Sequence, residues 1–236
     1  MTLVQQAAAL FGIRLSTGQA DQFDRYAREL AQWNTRTNLT AITDPDGVRV
    51  RHFLDSLSVV QATVLKPGYA VIDVGTGAGF PGLPLAIAFP NVQITLLEST
   101  GKKIRFLDHM IASLNLSNVS SLHGRAEEAG HMPDQREHYD LVLARAVARL
   151  PALLEYLLPL ARVEGRCIAM KGASAHEEAE SAHKALSTLG GRLTAIERIE
   201  MPDVTDPHYL VVIQKTSPTP AHYPRKPGVP TRKPLL

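Results

Sequence analysis

Residues 73–85 read DVGTGAGFPGLPL, with Gly75, Gly77 and Gly79 at alternate positions and Gly82 three residues further on, at the end of an apolar run. Glycine admits positive φ and lets backbone approach a ligand closely, and a helix beginning just beyond presents free N–H groups. Such a loop suits a nucleotide-like cofactor. Gly77, Gly79 and Gly82 also satisfy the dinucleotide pattern G-x-G-x-x-G, so an NAD-dependent oxidoreductase is one reading. Asp73 favours another. A carboxylate just before the first glycine would oppose a pyrophosphate, but it suits the amino group and sulfonium of S-adenosyl-L-methionine. Glu98 closes the next β-like run, 23 residues after Gly75, where it can accept the ribose hydroxyls of either cofactor.

Arg145 follows the apolar run at residues 140–144, which puts it at the carboxyl end of a strand, where open α/β sheets bind ligands. Its guanidinium could read a purine edge, hold a phosphate, stack on a base, or be spent in a salt bridge to Asp140 or Glu127. The remaining candidates are weaker. Cys167, the single cysteine, sits inside a β-like run; it reads as an inert core residue and excludes Cys-based zinc sites and cytosine-C5 chemistry. No metal is expected. The Asn/Asp-Pro-Pro-aromatic motif that accompanies methylation of exocyclic amines has no counterpart at residues 144–147, which read ARAV.

The elements that must position these groups follow from periodicity. In residues 21–33, Phe23, Tyr26, Ala27, Leu30 and Trp33 recur at helical spacing behind Ser16 or Thr17 as a cap, and Phe53, Leu57, Val60 and Val64 mark a second helix. Residues 34–47 read as a loop. Beyond Gly68, β-like runs at residues 70–74, 93–98, 119–122, 140–144 and 166–170 alternate with helical stretches at 83–89, 101–114, 150–161 and 175–189. That alternation implies a parallel sheet covered on both faces. Two consecutive β-like runs, 192–201 and 208–215, joined through residues 202–207, close it with an antiparallel hairpin. The fold class expected is α/β, a Rossmann-like class I S-adenosylmethionine-dependent methyltransferase with a seven-stranded, mostly parallel sheet and an N-terminal helical extension. Its segments are 1–65, 66–215 and a tail at 216–236.

The tail reshapes the charge balance. The chain has 236 residues, 25 basic and 23 acidic. The tail carries Arg225, Lys226, Arg232 and Lys233 and no acid, so removing those four leaves 21 basic against 23 acidic. It also holds six of the 16 prolines, which should keep it extended, either loose or laid against a surface. No apolar run reaches the roughly 20 residues of a membrane-spanning helix. A cytoplasmic location is therefore expected.

These motifs resemble the RsmG (GidB) family, bacterial methyltransferases that modify guanine N7 in 16S ribosomal RNA. The resemblance covers nearly the whole chain: the loop at 73–85, WN at 33–34, NLT at 38–40, HFLDSL at 52–57, EST at 98–100 with Lys102 and Lys103, GRAEE at 124–128, DLVLARAV at 140–147, KG at 171–172 and YPRKPGVPTRKPL at 223–235. It implies that Gly75 and Phe80 meet S-adenosyl-L-methionine at the first turn. Glu98, Ser99 and Thr100 would face the ribose, Ala126 and Glu127 the adenine. Arg145 would lie beside the methyl donor and the incoming nucleotide. The small ribosomal subunit or its RNA is the implied partner, met by His52, Lys102, Lys103, Arg125, Arg149, Lys171, Arg225 and Lys226, and a monomer is expected. Guanine N7 carries a free in-plane lone pair, so no histidine general base is required and positioning dominates. A non-catalytic RNA-binding assembly protein is the remaining alternative.

Overall fold

The computed structural model describes residues 1–202 and 204–236; Asp203, within the expected turn at 202–207, lies outside them. Helices α1 (Leu3–Phe11) and α2 (Thr17–Asn34) both start on capping boxes. Thr2 and Ser16 accept from the N–H of Gln5 and Gln19, whose side chains accept from the cap N–H in return, which satisfies two free donors at each start.

A composite helical run follows: α3 (Pro45–Gly47), a π-helical turn (Val48–Leu54), α4 (Asp55–Leu57) and a 3-10 turn (Ser58–Gln61). It begins inside the stretch expected to be a loop and ends before Val64, which is exposed. Residues 52–59 are all buried. That central stretch is enclosed on every side, so it lacks the polar stripe that an amphipathic reading requires.

Seven strands form one sheet: β1 (Ala70–Val74), β2 (Gln93–Glu98), β3 (Val119–His123), β4 (Tyr139–Arg145), β5 (Ala161–Lys171), β6 (Gly191–Ile199) and β7 (His208–Lys215). Their order is β3-β2-β1-β4-β5-β7-β6, with β7 antiparallel to both neighbours and the other pairs parallel. The connecting helices are α5 (Gly82–Ala88), α6 (Gly101–Ser113), α7 (Ala126–Ala129), α8 (Leu150–Leu157), α9 (Ala175–Glu180) and α10 (His183–Leu189). Three expected boundaries move. α8 stops at Leu157 because Pro159 disfavours helix in the residue before it, and β5 claims residues from Ala161 onward. The stretch at 175–189 is two helices, parted at residues 181–182.

The tail takes the second of its two expected forms, laid against the domain. It departs from an extended segment only at a short helix, α11 (Val229–Arg232), with Pro230 in its first turn, the one helical site where a missing N–H costs nothing. Pro230 and Thr219 are buried.

Two apolar clusters cover the sheet. One joins Phe23, Tyr26, Leu30 and Phe53 of the N-terminal helices to Leu83, Leu85 and Phe106; the other packs α8 to α10 against Ile72, Val142 and Ile213. The N-terminal helices thus share a core with the sheet. Their central contact is Tyr26, fully buried, whose hydroxyl donates to the Ala78 carbonyl in the glycine loop and whose ring stacks on Phe80 at 5.3 Å. Tyr26→Phe leaves that carbonyl unpaired and should destabilise the fold by about 1–3 kcal/mol, measured by urea denaturation.

Candidate functional site

The order of strands reverses between β1 and β4, which opens a crevice outside their carboxyl ends. Both the glycine loop and Arg145 lie there, each following one of these two adjacent strands. At Gly75, φ is +69° and a Cβ would lie 2.8 Å from Val147 Cγ2; at Gly82 a Cβ would lie 2.3 Å from Leu96 Cδ2. The first glycine serves the turn and the last serves close helix-to-strand packing.

Asp73 lies fully buried at the end of β1. Its Oδ2 accepts from the Thr76 hydroxyl at 2.5 Å and from the Gly82 N–H at 2.8 Å, which ties both ends of the loop to the strand. Oδ1 is buried and unpaired. Burial pushes the Asp73 carboxyl up to about 6, against the pull of the Thr76 and Gly82 hydrogen bonds. A buried oxygen with no partner fits a ligand that brings a hydrogen-bond donor or positive charge. Glu98 receives Gly77 N–H at 3.1 Å on one oxygen and Thr100 N–H at 2.8 Å on the other, so the expected ribose carboxylate also braces the loop.

Two cavities flank this loop. A smaller one, about 260 Å³, is lined by Gly75, Ser99, Ala126, Glu127, Tyr156 and Thr231. A larger one, about 640 Å³, holds Arg51, His52, Asp55, Arg145, Lys171 and His208. Val147 lines both.

In the larger cavity Arg145 pairs neither with Asp140 nor with Glu127. Asp140 is taken by Arg162 Nε at 2.7 Å and Ala70 N–H at 2.8 Å. Arg145 Nη1 instead donates to Asp55 Oδ2 at 2.8 Å and to the Arg51 carbonyl at 2.9 Å, and Nη2 lies 3.3 Å from His52 Nδ1. Its Cζ stands 5.0 Å from the Phe80 centroid. Of five guanidinium N–H groups, Nε–H and the pair on Nη2 remain. Asp55 also receives His208 Nδ1 at 3.1 Å on its other oxygen. Burial opposes the Asp55 charge, but the His208 hydrogen bond and the Arg145 charge outweigh it and hold the carboxyl below its usual range. The same hydrogen bond raises His208 against burial.

Sequence reasoning missed Asp55, His208, Tyr156 and Thr231. Asp55 follows His52 at i+3, the only local signal. His208 arrives because β7 is antiparallel: its first residues pair with the last of β5, Tyr209 opposite Lys171.

The expected cationic set is partly dispersed. Lys102, Arg125, Arg149 and Lys226 are exposed, although Arg149 is 2.6 Å from Glu177; Lys103 is half-buried, 3.9 Å from Glu98. Three of the residues expected to meet RNA are engaged within the protein. His52 is buried, stacks on Phe80 at 4.4 Å and contacts Thr40 Oγ1 at 2.8 Å. Burial, reinforced by Arg145, brings its imidazole down to about 4, so it is neutral; Nδ1 lies 3.0 Å from the Arg51 carbonyl, and the tautomer protonated there donates to that oxygen while Nε2 accepts from the Thr40 hydroxyl. Lys171 is enclosed, donating to Glu178 at 2.7 Å and to the Ala148 carbonyl. Arg225 is spent on Glu155. Among the described residues, no cluster of three or more His, Cys, Asp or Glu could hold a metal ion, and no helix is long and apolar enough to cross a membrane.

The sheet order, the closing hairpin and the glycine loop at the switch point define a Rossmann-like methyltransferase fold. A SAM-dependent methyltransferase from Aquifex aeolicus aligns with TM-score 0.54 at 18% identity, over 73% of this chain and 94% of its own. The GidB family model, described as rRNA small subunit methyltransferase G, matches residues 19–205, and the chain belongs to that family. Among its relatives, the ribosomal RNA small subunit methyltransferase G of Roseiflexus sp. is 50% identical over 100% of both chains. That of Halalkalibacterium halodurans is 47% identical over 95% of this chain and 94% of the relative.

The histidines give a pH signature. His208 contributes stability that is full below 6.5 and fades as pH rises through its raised value, whereas Asp55 contributes above about 3.9 and fades as pH falls through its lowered value. His52 acts oppositely to His208, costing stability as pH falls from 6.5 toward 4. Imidazole NMR should find His208 titrating above 6.5 and His52 near 4, and His208→Gln should lower stability more at pH 6 than at pH 9 in urea melts.

Proposed function

We propose that the chain transfers a methyl group from S-adenosyl-L-methionine to N7 of a guanine in 16S ribosomal RNA, the guanine 527 of the decoding-region loop that the family resemblance implies. It would act as a cytoplasmic monomer on the small subunit or its RNA. The observation that carries the reading is the shared wall: the two cavities meet at Val147, beside the glycine loop on one side and a pre-aimed arginine on the other.

When bound, the cofactor supplies an electrophilic methyl on a sulfonium. The residues fit it: Asp73 Oδ1 lacks a partner and is aimed within the loop, Gly75 leaves the approach free of a Cβ, and Glu98 to Thr100 line the ribose end. Ala126 and Glu127 would take the adenine.

The larger cavity would take the nucleotide. Its floor includes Ile42, Met170 and Leu210, apolar surface suited to a base face. Arg145 has Nε–H and Nη2 left, and a donor on N7 would block attack, so O6 or a phosphate is the group it would hold. Asp55 and the Arg51 carbonyl keep its fork from turning. No residue need remove a proton, because N7 has none; the protein's part is to align the lone pair with the methyl and to accommodate the purine's growing positive charge. A neutral His52 beside Phe80 adds polarisable surface there without adding a competing cation. An NAD-dependent oxidoreductase would place a pyrophosphate against the Asp73 end of the loop, which the buried carboxylate disfavours.

Mapping N7-methylguanine in small-subunit RNA from cells with and without the protein tests the reading directly; an unmodified pattern in both would end it. Arg145→Lys keeps the charge but loses the fork, and should cut methyl transfer by about 10²-fold or more while calorimetric cofactor affinity stays within a factor of a few. Neutralising the exposed Lys226, Arg232 and Lys233 together should flatten the slope of log affinity against log salt for RNA by up to about 2 to 3, measured by filter binding; an unchanged slope removes the tail from the RNA surface.

A further inference from the structure

We infer that the C-terminal segment at residues 216–236 is part of the cofactor site: it walls the adenine end of the smaller cavity and fixes the carboxylate that reads the adenine. The inference rests on the reading above that Glu127 faces the adenine. It assigns a binding role to Gly228 and Thr231.

The segment is tied down at three levels. Near its start, Arg136 donates to the carbonyls of Thr219 and Tyr223 at 2.7 and 2.8 Å, and Glu137 accepts the Thr219 N–H at 2.7 Å. In the middle, Pro224 packs so closely on Gly130 that a Cβ there would lie 2.8 Å from the proline ring, and His131 Nε2 lies 2.7 Å from the Pro224 carbonyl. The main lock is Glu155 on α8. Its side chain is 0% exposed, and it accepts the backbone N–H of Arg225 at 2.6 Å together with Nε at 2.9 Å and Nη2 at 2.7 Å. A buried carboxylate needs such saturation, since an unpaired one would carry the whole desolvation penalty. Arg225 Nη2 also donates to the Lys233 carbonyl at 2.8 Å, which closes the final loop around α11.

What the lock positions is Gly228. Its φ is +78°, which turns its N–H toward Glu127 Oε1 at 2.9 Å. Glu127 is buried, and among the described residues its Oε2 accepts no hydrogen bond. One oxygen is therefore clamped and the other left to accept from a ligand amine. Beside it, Gly228 and Thr231 line the same cavity as Gly75, Ser99 and Tyr156 of α8. The exocyclic amine of adenine is a donor of the required kind. Its replacement by a carbonyl, as in an inosyl analogue, would set oxygen against oxygen.

The test uses the full-length protein and calorimetric binding of S-adenosylhomocysteine and S-inosylhomocysteine. Thr231 is exposed, lines the cavity and takes no part in the Glu155–Arg225 hydrogen bonds, so Thr231→Trp adds bulk at the cavity without disturbing that lock. It should weaken S-adenosylhomocysteine binding by about tenfold or more while the melting temperature and the salt slope of RNA binding stay at wild-type values. Glu127→Gln should lose wild-type preference for the adenosyl over the inosyl ligand, again by about tenfold. Unchanged affinity in Thr231→Trp overturns the strap inference whatever Glu127 does. Weakening in Thr231→Trp with unchanged preference in Glu127→Gln overturns the adenine reading instead and leaves the strap as a wall of the site.

Discussion

Everything at the carboxyl edge of this sheet depends on how the ring of Phe80 is held. Tyr26 from α2 and His52 from the π-helical turn both stack on it, at 5.3 and 4.4 Å, and the Arg145 guanidinium stands 5.0 Å from its centroid. Three segments far apart in the chain thereby meet on one side chain of the glycine loop. A loop of four glycines has large backbone freedom to lose, and a binding site needs that freedom removed before the ligand arrives. Asp73 does this from beneath through Thr76 and Gly82, Glu98 from the side through Gly77, and the aromatic stack from above. The N-terminal helices are therefore a clamp on the loop and share its core.

The charges show the same economy. Asp55 is shared by Arg145 and His208, Glu178 by Lys171 and the N–H of Leu150, and Glu155 by backbone and side chain of Arg225. Buried pairs of this kind stabilise little in themselves, because desolvation offsets attraction. Their effect is geometric. Each fixes a segment bordering a cavity: Asp55 fixes the arginine, Lys171 and Glu178 the turn that carries Val147, and Arg225 the strap. Three residues that net charge alone would assign to RNA are thus consumed inside the protein.

Most of the sheet was legible because parallel strands buried on both faces are short continuous apolar runs, as in residues 70–74 and 140–144. The glycine loop, Glu98 and Arg145 were legible because a strand end is also a sequence boundary. Asp55 was not: it lies in a run where every residue from 52 to 59 is buried, so no pattern separates the carboxylate that holds Arg145 from its neighbours. His208 was hidden by topology, since it reaches the site only through antiparallel insertion of β7 between β5 and β6. Whether the tail is loose or docked was not legible, because proline content reports on what cannot extend a ladder, and says nothing about a buried glutamate 70 residues away.

Val147 connects these observations. It follows Ala146, whose φ of +55° is unusual for a residue with a side chain, and it projects over Gly75. That conformation turns the chain sharply after Arg145, so that the arginine faces the larger cavity while the valine two residues later closes the smaller one. Lys171 holds the turn from the far side through the Ala148 carbonyl. A single residue in the left-handed region thereby sets the side chain that the two cavities share as a wall. A direct transfer between groups bound in the two cavities would require the reacting atoms to come within about 3–3.5 Å, so the Val147 side chain would have to lie beside the line of attack and not across it.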